Sequence, residues 1–312
     1  MPFTPQRSRG GDPDGRFMSR PEEVIYLNGE LVPHSQAAIS PFDHGFLYGY
    51  GVFDTLRTYG GRFFRLKAHL GRLYNSLGVV GLACPLNAEG IQDALYKTIR
   101  ANGLDEARVR LTVSAGEGEA APEPLPTTPT VLITAHPLTP ISESAYQKGY
   151  SAVIAGPLTN SSSPLCGVKS CNYLGFLLAQ RQARGAGAQE ALLLNEKGHL
   201  TEGTFTNLFL VKDGTLITTD LASGPLPGIT RGAVLELAWV LGVAVAERPV
   251  NPSELAAADE AFLTSSVLEV MPLTQVDGRP VGGGGPGRIT KSLMAAYRDA
   301  VRRETARSET AT

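Results

Sequence analysis

Residues 200–209 read Leu200-Thr201-Glu202-Gly203-Thr204-Phe205-Thr206-Asn207-Leu208-Phe209. Two short apolar runs flank a Gly-Thr turn, so the stretch reads as strand, turn and strand with one carboxylate among small residues. Upstream, Lys169-Ser170-Cys171-Asn172-Tyr173 places a lysine just ahead of a helical run, and Ser170 or Asn172 can cap its start. Downstream, Leu226-Pro227-Gly228-Ile229-Thr230-Arg231 ends a Gly/Pro loop at a second helix, where free N–H groups and the positive dipole end suit an anion. Taken singly, these are a surface lysine, a turn carboxylate and an ordinary helix start. Taken together they put an anion site, a lysine and an acid in one half of the chain.

Around this centre the organisation follows from periodicity. The helical run after Lys169 carries Tyr173, Leu174, Leu177 and Leu178 on one face and ends at Gly185. Strand signals follow at 191–195, 199–203, 207–211 and 215–219, then a helix from Thr230 to Gly242, a helix start at Asn251-Pro252-Ser253-Glu254, a strand at 261–266, a hairpin at Asp277-Gly278 and a last helix from about Ile289 to Arg303. Toward the N-terminus, Asn28-Gly29 between two apolar runs predicts a β-hairpin. Leu66, Leu70, Leu73 and Leu77 predict a helix over 66–77 that stops at Gly78 and carries Arg72, and a second helix spans Ala88 to Ala101. Residues 108–113 and 129–135 read as strands, joined by a long Gly/Pro/Glu loop from Gly116 to Pro129.

Residues 136–149 lose apolar periodicity and hold two prolines, which makes them the expected interdomain linker. The expected division is a leader over 1–20, with Met18 an alternative start, a small domain over 21–135, a large domain over 150–304 and a flexible tail over 305–312. A chain of 312 residues is long enough for two such cores.

Twenty-eight basic residues against 30 acidic ones leave a net charge of −2. No field of that size recruits nucleic acid or an anionic membrane surface. No run reaches the roughly 18 apolar residues of a membrane span, and no apolar signal-peptide core is present. Three cysteines without C-x-x-C spacing give neither a disulfide framework nor a zinc site, so a cytoplasmic setting is expected. Glycine (35) and proline (22) are abundant, yet below the roughly 25–30% of low-complexity chains, so the excess reads as constrained turns.

Two phosphate motifs fail on inspection. Gly282 to Lys291 has P-loop glycine spacing, but Arg288 stands where lysine belongs and Ile289 where a magnesium-binding hydroxyl belongs; it reads as a flexible loop. Gly49-Tyr50-Gly51 lacks the third glycine and the βαβ context of a dinucleotide site. The five histidines have no metal-ligand spacing, and no metal is expected.

In their order and spacing, the K-S-x-N-Y, T-E-G-x-x-x-N-x-F and L-P-G-I-T-R strings resemble those of the fold-type-IV pyridoxal-phosphate enzymes, the class IV aminotransferases, over about Tyr26 to Lys291. The resemblance, closest to the branched-chain members, implies an α+β fold of the D-amino-acid-aminotransferase type. Its small N-terminal domain is α/β, and its larger C-terminal domain has a barrel-like β core. It implies pyridoxal 5′-phosphate as cofactor, with Lys169 as the catalytic lysine that joins the cofactor and Glu202 as the carboxylate at its ring nitrogen. Arg72, Ile229, Thr230, Ser265 and Ser266 match the phosphate-binding positions, and Tyr173 matches the tyrosine near the ring oxygen. Such a lysine needs desolvation or nearby cations to act near neutral pH, and such a carboxylate keeps the ring an electron sink.

For substrate, the resemblance points to Phe46, Tyr48, Phe53, Arg110 and Val267. Arg110 matches an arginine that holds a substrate carboxylate in branched-chain enzymes, whereas Arg108 replaces the tyrosine of that pattern. The 116–129 loop lacks the arginine–histidine trap of D-amino-acid aminotransferases. The implied reaction passes an amino group from an amino donor to a 2-oxo acid, branched-chain-like substrates being favoured, in a homodimer. Aminodeoxychorismate lyase, a D-amino-acid or (R)-amine transaminase and a catalytically silent binding protein on the same fold are the alternatives.

Overall fold

Asn28 and Gly29 do turn the chain, both at positive φ (49° and 104°), joining β1 (Val24–Leu27) to β2 (Glu30–Pro33). The molecule is known from a computed structural model that describes residues 22–119 and 128–306. The expected leader, the tip of the 116–129 loop and the end of the expected tail lie outside the described residues.

A short helix, α1 (His44–Tyr48), leads into β3 (Gly51–Tyr59) and β4 (Arg62–Phe63), followed by α2 (Leu66–Val80), α3 (Ala88–Ala101), β5 (Ala107–Ser114) and β6 (Thr130–Pro137). The strands form one sheet in the order β2-β1-β6-β5-β3-β4, antiparallel throughout. Alternate residues of β5 (Val109, Leu111, Val113) share a buried cluster with Leu73 of α2 and Ile91, Leu95 and Ile99 of α3, so both helices cover one face. Helix α2 runs past Gly78 and ends at Gly81, which is left-handed at φ 68°. An interior glycine costs a helix only about 1 kcal/mol, whereas a left-handed C-cap favours glycine strongly.

The remaining elements are α4 (Glu143–Lys148), β7 (Tyr150–Thr159), α5 (Leu174–Gly185), β8 (Glu190–Asn195), β9 (Leu200–Gly203), β10 (Asn207–Lys212), β11 (Thr215–Thr218), α6 (Ile229–Val240), β12 (Val245–Glu247), α7 (Pro252–Ala256), β13 (Glu260–Ser265), β14 (Glu269–Val276), β15 (Arg279–Pro280) and α8 (Arg288–Thr305). Strands β10-β13-β14-β7-β8-β9 lie side by side, and the Asn207–Glu202 pairing of β9 with β10 closes them into a six-stranded barrel. A second buried cluster, with Phe209, Phe262, Met271, Leu293 and Tyr297 among its largest members, fills the space between barrel and helices.

The 136–149 segment carries structure of its own: Ser142 caps α4, and Tyr146 is buried in the second core. The expected cap of α5 is corrected. Neither Ser170 nor Asn172 caps α5, whose N-cap residue is Tyr173 without a side-chain cap. On α5, Ala179 and Ala183 face the protein, while Leu174, Leu177 and Leu178 are 69%, 51% and 55% exposed. The two ends of the Gly282–Gly287 run find a reason in close approach: a Cβ at Gly282 would overlap the Asp259 carbonyl. Glu260 accepts hydrogen bonds from the Ile289 and Thr290 amides (3.1 and 2.7 Å), and a Cβ at Gly287 would overlap that carboxylate. The N-terminus of α8 is thus closed by a protein carboxylate, which is why the P-loop-like spacing makes no phosphate site.

Candidate active site

Lys169 owes its position to backbone pairing. The segment after the polar loop runs alongside β3: Phe53 N–H donates to the Lys169 carbonyl (2.9 Å) and Cys171 N–H donates to the Gly51 carbonyl (2.8 Å). This pairing is extended, so α5 cannot start before Leu174, and the lysine lies between the two cores. Its Nζ stands 4.8 Å from the Phe53 ring centroid and 5.7 Å from that of Tyr173, and no carboxylate lies within ion-pair distance among the described residues. Burial lowers its pKa, and the Arg72 charge lowers it further.

Glu202, at the seam where β9 meets β10, is 9% exposed. Its Oε2 accepts from the Leu226 amide (3.0 Å) and from Asn207 Nδ2 (3.4 Å), which leaves Oε1 without a hydrogen bond among the described residues. Burial raises this carboxyl's pKa, against the lowering pull of the Leu226 amide and Lys169. The turn that presents it is pinned by Glu190, whose Oε1 accepts from the Thr204 amide (2.9 Å) and hydroxyl and whose Oε2 accepts from the Thr206 hydroxyl (3.0 Å). Gly203 permits this approach, because a Cβ there would overlap Thr206 and press on Glu190.

The α6 N-terminus follows from Gly228 in the same way. Asn207 Nδ2 donates to the Leu226 carbonyl (2.8 Å), and any Cβ at residue 228 would collide with the Asn207 amide oxygen. No side chain caps this end, so the amides of Ile229 and Thr230 keep their donors. Across from it, Arg72 is held by a bidentate contact with Asp54 (Nε to Oδ2 3.0 Å, Nη2 to Oδ1 2.8 Å) and by Nη1 donating to the Pro227 carbonyl (3.2 Å). The turn between β13 and β14 completes the wall. Ser265 Oγ accepts from the Leu268 amide (3.1 Å), and the Val267 carbonyl accepts from Arg57 Nη1 (3.0 Å).

One cavity of about 970 Å³ is lined by Arg72, Lys169, Tyr173, Glu202, Ile229, Thr230, Ser265, Ser266, Phe53, Arg110 and Val267. These are eleven of the thirteen residues expected at the site. Tyr173 donates its hydroxyl to the Thr204 carbonyl (2.6 Å), and burial pushes its pKa up, so it stays a neutral phenol. Arg110 lies flat on Phe53, its guanidinium carbon 3.6 Å from the ring centroid. Arg108 and Arg184 also line the cavity, so five cationic side chains face two carboxylates, Glu190 and Glu202.

Phe46 and Tyr48 are the exceptions. They sit on α1, whose five residues are set by the Asp43 cap and the left-handed Gly49, at the surface. Phe46 is 76% exposed and lines neither this cavity nor the separate recess that Tyr48 shares with Val79, Val80 and Leu165. Sequence reasoning also missed several residues. Thr264, buried in β13 beside the cavity, has an Oγ1 without a partner among the described residues; Asp54, His69 and Glu190 belong to no motif, and Asn207 stands in the T-E-G-x-x-x-N-x-F string without a role having been read for it.

Residues 51–276 match the family model for amino-transferase class IV. A putative branched-chain-amino-acid aminotransferase of Methanocaldococcus jannaschii is 39% identical over 276 residues, covering 88% of this chain and 95% of that protein. A D-alanine aminotransferase of Bacillus licheniformis is 32% identical over 91% of this chain and 99% of its own length. The crystal structure of the Escherichia coli branched-chain amino acid aminotransferase superposes with a TM-score of 0.85 at 31% identity, covering 93% of this chain and 98% of that one. A branched-chain amino acid aminotransferase crystallised with pyridoxamine 5′-phosphate superposes with a TM-score of 0.85 at 33% identity, covering 91% and 96%.

Proposed function

The chain belongs to the class IV aminotransferases and is a pyridoxal-phosphate-dependent enzyme; from that premise we propose that it moves amino groups between branched-chain amino acids and 2-oxo acids, with the roles below. The observation that carries the assignment is a desolvated, unpaired lysine sharing one cavity with a buried carboxylate, an arginine and an uncapped helix N-terminus.

The residues present fit the cofactor. The donors at one end are the uncapped α6 amides, Arg72 and the Ser266 hydroxyl, with the unpartnered Thr264 Oγ1 beside them. They suit a phosphate dianion, which can only accept hydrogen bonds. Glu202 Oε1 is left for a ring N–H, and Lys169 is the amine that meets the aldehyde. Bound there, pyridoxal phosphate supplies the aldehyde that takes up the amino group and the ring that spreads the charge left at the substrate Cα.

The protein's own part is positioning and proton transfer. Lys169, its pKa lowered by burial and by Arg72, is unprotonated often enough near neutral pH to take the Cα proton and return it to the cofactor side. Glu202, fixed by Leu226 and Asn207, holds the proton at the ring nitrogen. Phe53, Phe176, Leu158 and Leu268 give the cavity an apolar wall for a branched side chain. Arg110 presents one guanidinium, spread on Phe53, to a carboxylate.

Phe46 and Tyr48 enter through a homodimer. Their exposure, with that of Leu174, Leu177, Leu178 and Phe205, gives each protomer an apolar surface for a second copy to cover, from which they would serve the partner's cavity. The three free cysteines fit a reducing cytoplasm. No helix among the described residues is long and apolar enough to cross a membrane.

The test follows the cofactor's visible spectrum while single amino donors are added. L-Leucine, L-isoleucine and L-valine are expected to convert the aldehyde form to the amine form, faster than D-alanine or an (R)-amine does. Conversion by the D-amino acids or (R)-amines alone would overturn the substrate assignment. Release of pyruvate from aminodeoxychorismate without any amino acceptor would replace transamination by elimination.

A further inference from the structure

Asp54 on β3 and His69 on α2, one turn before Arg72, belong to no motif, yet they are among the most enclosed polar groups of the molecule, 1% and 2% exposed. Asp54 Oδ1 lies 2.8 Å from His69 Nδ1 and also accepts from Arg72 Nη2. Burial opposes the charge on Asp54, but Arg72 and His69 outweigh it and hold the carboxyl well below the usual range. On the far side of the ring, His69 Nε2 is 3.4 Å from Ser266 Oγ, which lines the cavity. A carboxylate, an imidazole and a hydroxyl therefore run in line from the interior to the anion end of the cavity.

Counting protons along this line gives a result that the distances alone do not. An ionised Asp54 only accepts, so His69 Nδ1 carries a hydrogen. If the ring is neutral, Nε2 is a bare lone pair and the Ser266 hydrogen must point at it. Ser266 then offers only lone pairs to the cavity, the wrong polarity for a phosphate. If the ring is an imidazolium, Nε2–H donates to Ser266 Oγ, and the hydroxyl turns its hydrogen outward. We propose that His69 is a positioning residue of the phosphate subsite that takes up one proton from solvent as the phosphate ester seats, converting Ser266 from an acceptor into a donor.

The groups facing the ring agree with this coupling. Asp54 from β3 meets Nδ1, Arg72 from the same helix shares that carboxylate, and Ser266 from the β13–β14 turn meets Nε2. An arriving dianion adds negative charge on the Ser266 side of the ring, where a second N–H donor would meet it.

The inference rests on the assignment of Arg72, Ser266 and the α6 N-terminus to the phosphate, and its test separates the two. Pyridoxamine 5′-phosphate is titrated calorimetrically into the cofactor-free full-length chain in buffers of different ionisation enthalpy, at about pH 8 so that the ester, with its second pKa near 6, stays a dianion. The wild type is expected to take up close to one more proton than His69→Gln, whose amide N–H donates to Ser266 without titrating and whose affinity stays within about ten-fold (~1.4 kcal/mol) of wild type. Binding with equal proton uptake in the wild type and His69→Gln overturns the role of His69 alone. A wild type that does not bind pyridoxamine 5′-phosphate overturns the phosphate assignment, and this inference with it.

Discussion

Replacing Glu202 by Gln separates what the carboxylate does for the reaction from what it does for the fold. The Leu226 amide and Asn207 Nδ2 are both donors aimed at Oε2, so the amide oxygen of the variant must take that place and its NH2 must face the cavity. The ring nitrogen then meets a donor where it had met an acceptor, and stays an unprotonated pyridine. The loss is one charge-assisted hydrogen bond in a dry site, about 1.5–3 kcal/mol, plus the weakened electron sink. At 1.36 kcal/mol per factor of ten, the rate of the half-reaction with L-leucine is expected to fall about 10²–10³-fold. Stability moves the other way. Burial raises the Glu202 pKa in the folded chain, so its ionised form is a cost to folding, present above the folded pKa and relieved as pH falls through it. Gln removes that cost: the cofactor-free variant is expected to melt no lower than wild type at pH 8, and the wild type to gain on the variant as pH drops. Stopped-flow absorbance of the holoenzyme and thermal melts of the cofactor-free chain measure the two effects. A half-reaction within ten-fold of wild type, or a fall in melting temperature at pH 8, would refute the reasoning.

Other changes test the remaining walls of the cavity. Lys169→Ala should abolish turnover by at least about 10⁴-fold in multiple-turnover assays, the upper range for loss of one acid–base group; a variant that still cycled with bound chromophore would remove the lysine from the chemistry. Arg72→Ala should weaken pyridoxamine 5′-phosphate binding by about 2 kcal/mol or more, the value of a charge-assisted bond, while cofactor-saturated rates fall less; the reverse pattern would place Arg72 elsewhere. Arg108→Leu should cut kcat/KM for 2-oxoglutarate about ten-fold or more while leaving 4-methyl-2-oxopentanoate within a few-fold, because Arg108 lines the cavity without an ion-pair partner among the described residues. Equal losses on both acids would make its role structural. Gly228→Ala should destabilise the chain and loosen the cofactor together, since the new Cβ collides with Asn207; unchanged cofactor affinity would disconnect that turn from the phosphate.

What the sequence made legible divides along a physical line. Lys169, Glu202 and the Pro227-Gly228 loop could be singled out because each sits in a short local string, ahead of a helix, in a turn between strands and at a helix start, and the order and spacing of those strings resemble a known family; singly, none of them would have been read as a site. Gly203 and Gly228 carry the same information, since close approach of Glu190 and Asn207 leaves no room for a side chain. Asp54, His69 and Thr264 gave no such sign. A buried ion pair between a strand and a helix, or an unpaired hydroxyl on a barrel strand, has no periodicity or spacing of its own and exists only once β3, α2 and β13 are packed. The Gly282–Gly287 run shows the converse. Its spacing imitates a phosphate loop, and only the fold reveals that Glu260 already occupies the helix end.

Two surfaces show where reading along the chain stops. Leucines at 174, 177 and 178 have the spacing of a buried helix face, yet α5 turns Ala179 and Ala183 to the barrel and leaves the leucines outside. Small residues let a helix lie close to β7 and β8, while the larger apolar side chains need a deeper space than that contact leaves. Periodicity identifies the apolar face without its neighbour, because a pattern along the chain records that a face avoids water without recording what covers it. Phe46 and Tyr48 on α1 pose the same question: within one protomer they are 76% and 43% exposed, so the chain alone does not say what covers them, and it is the resemblance that gives them a place near substrate.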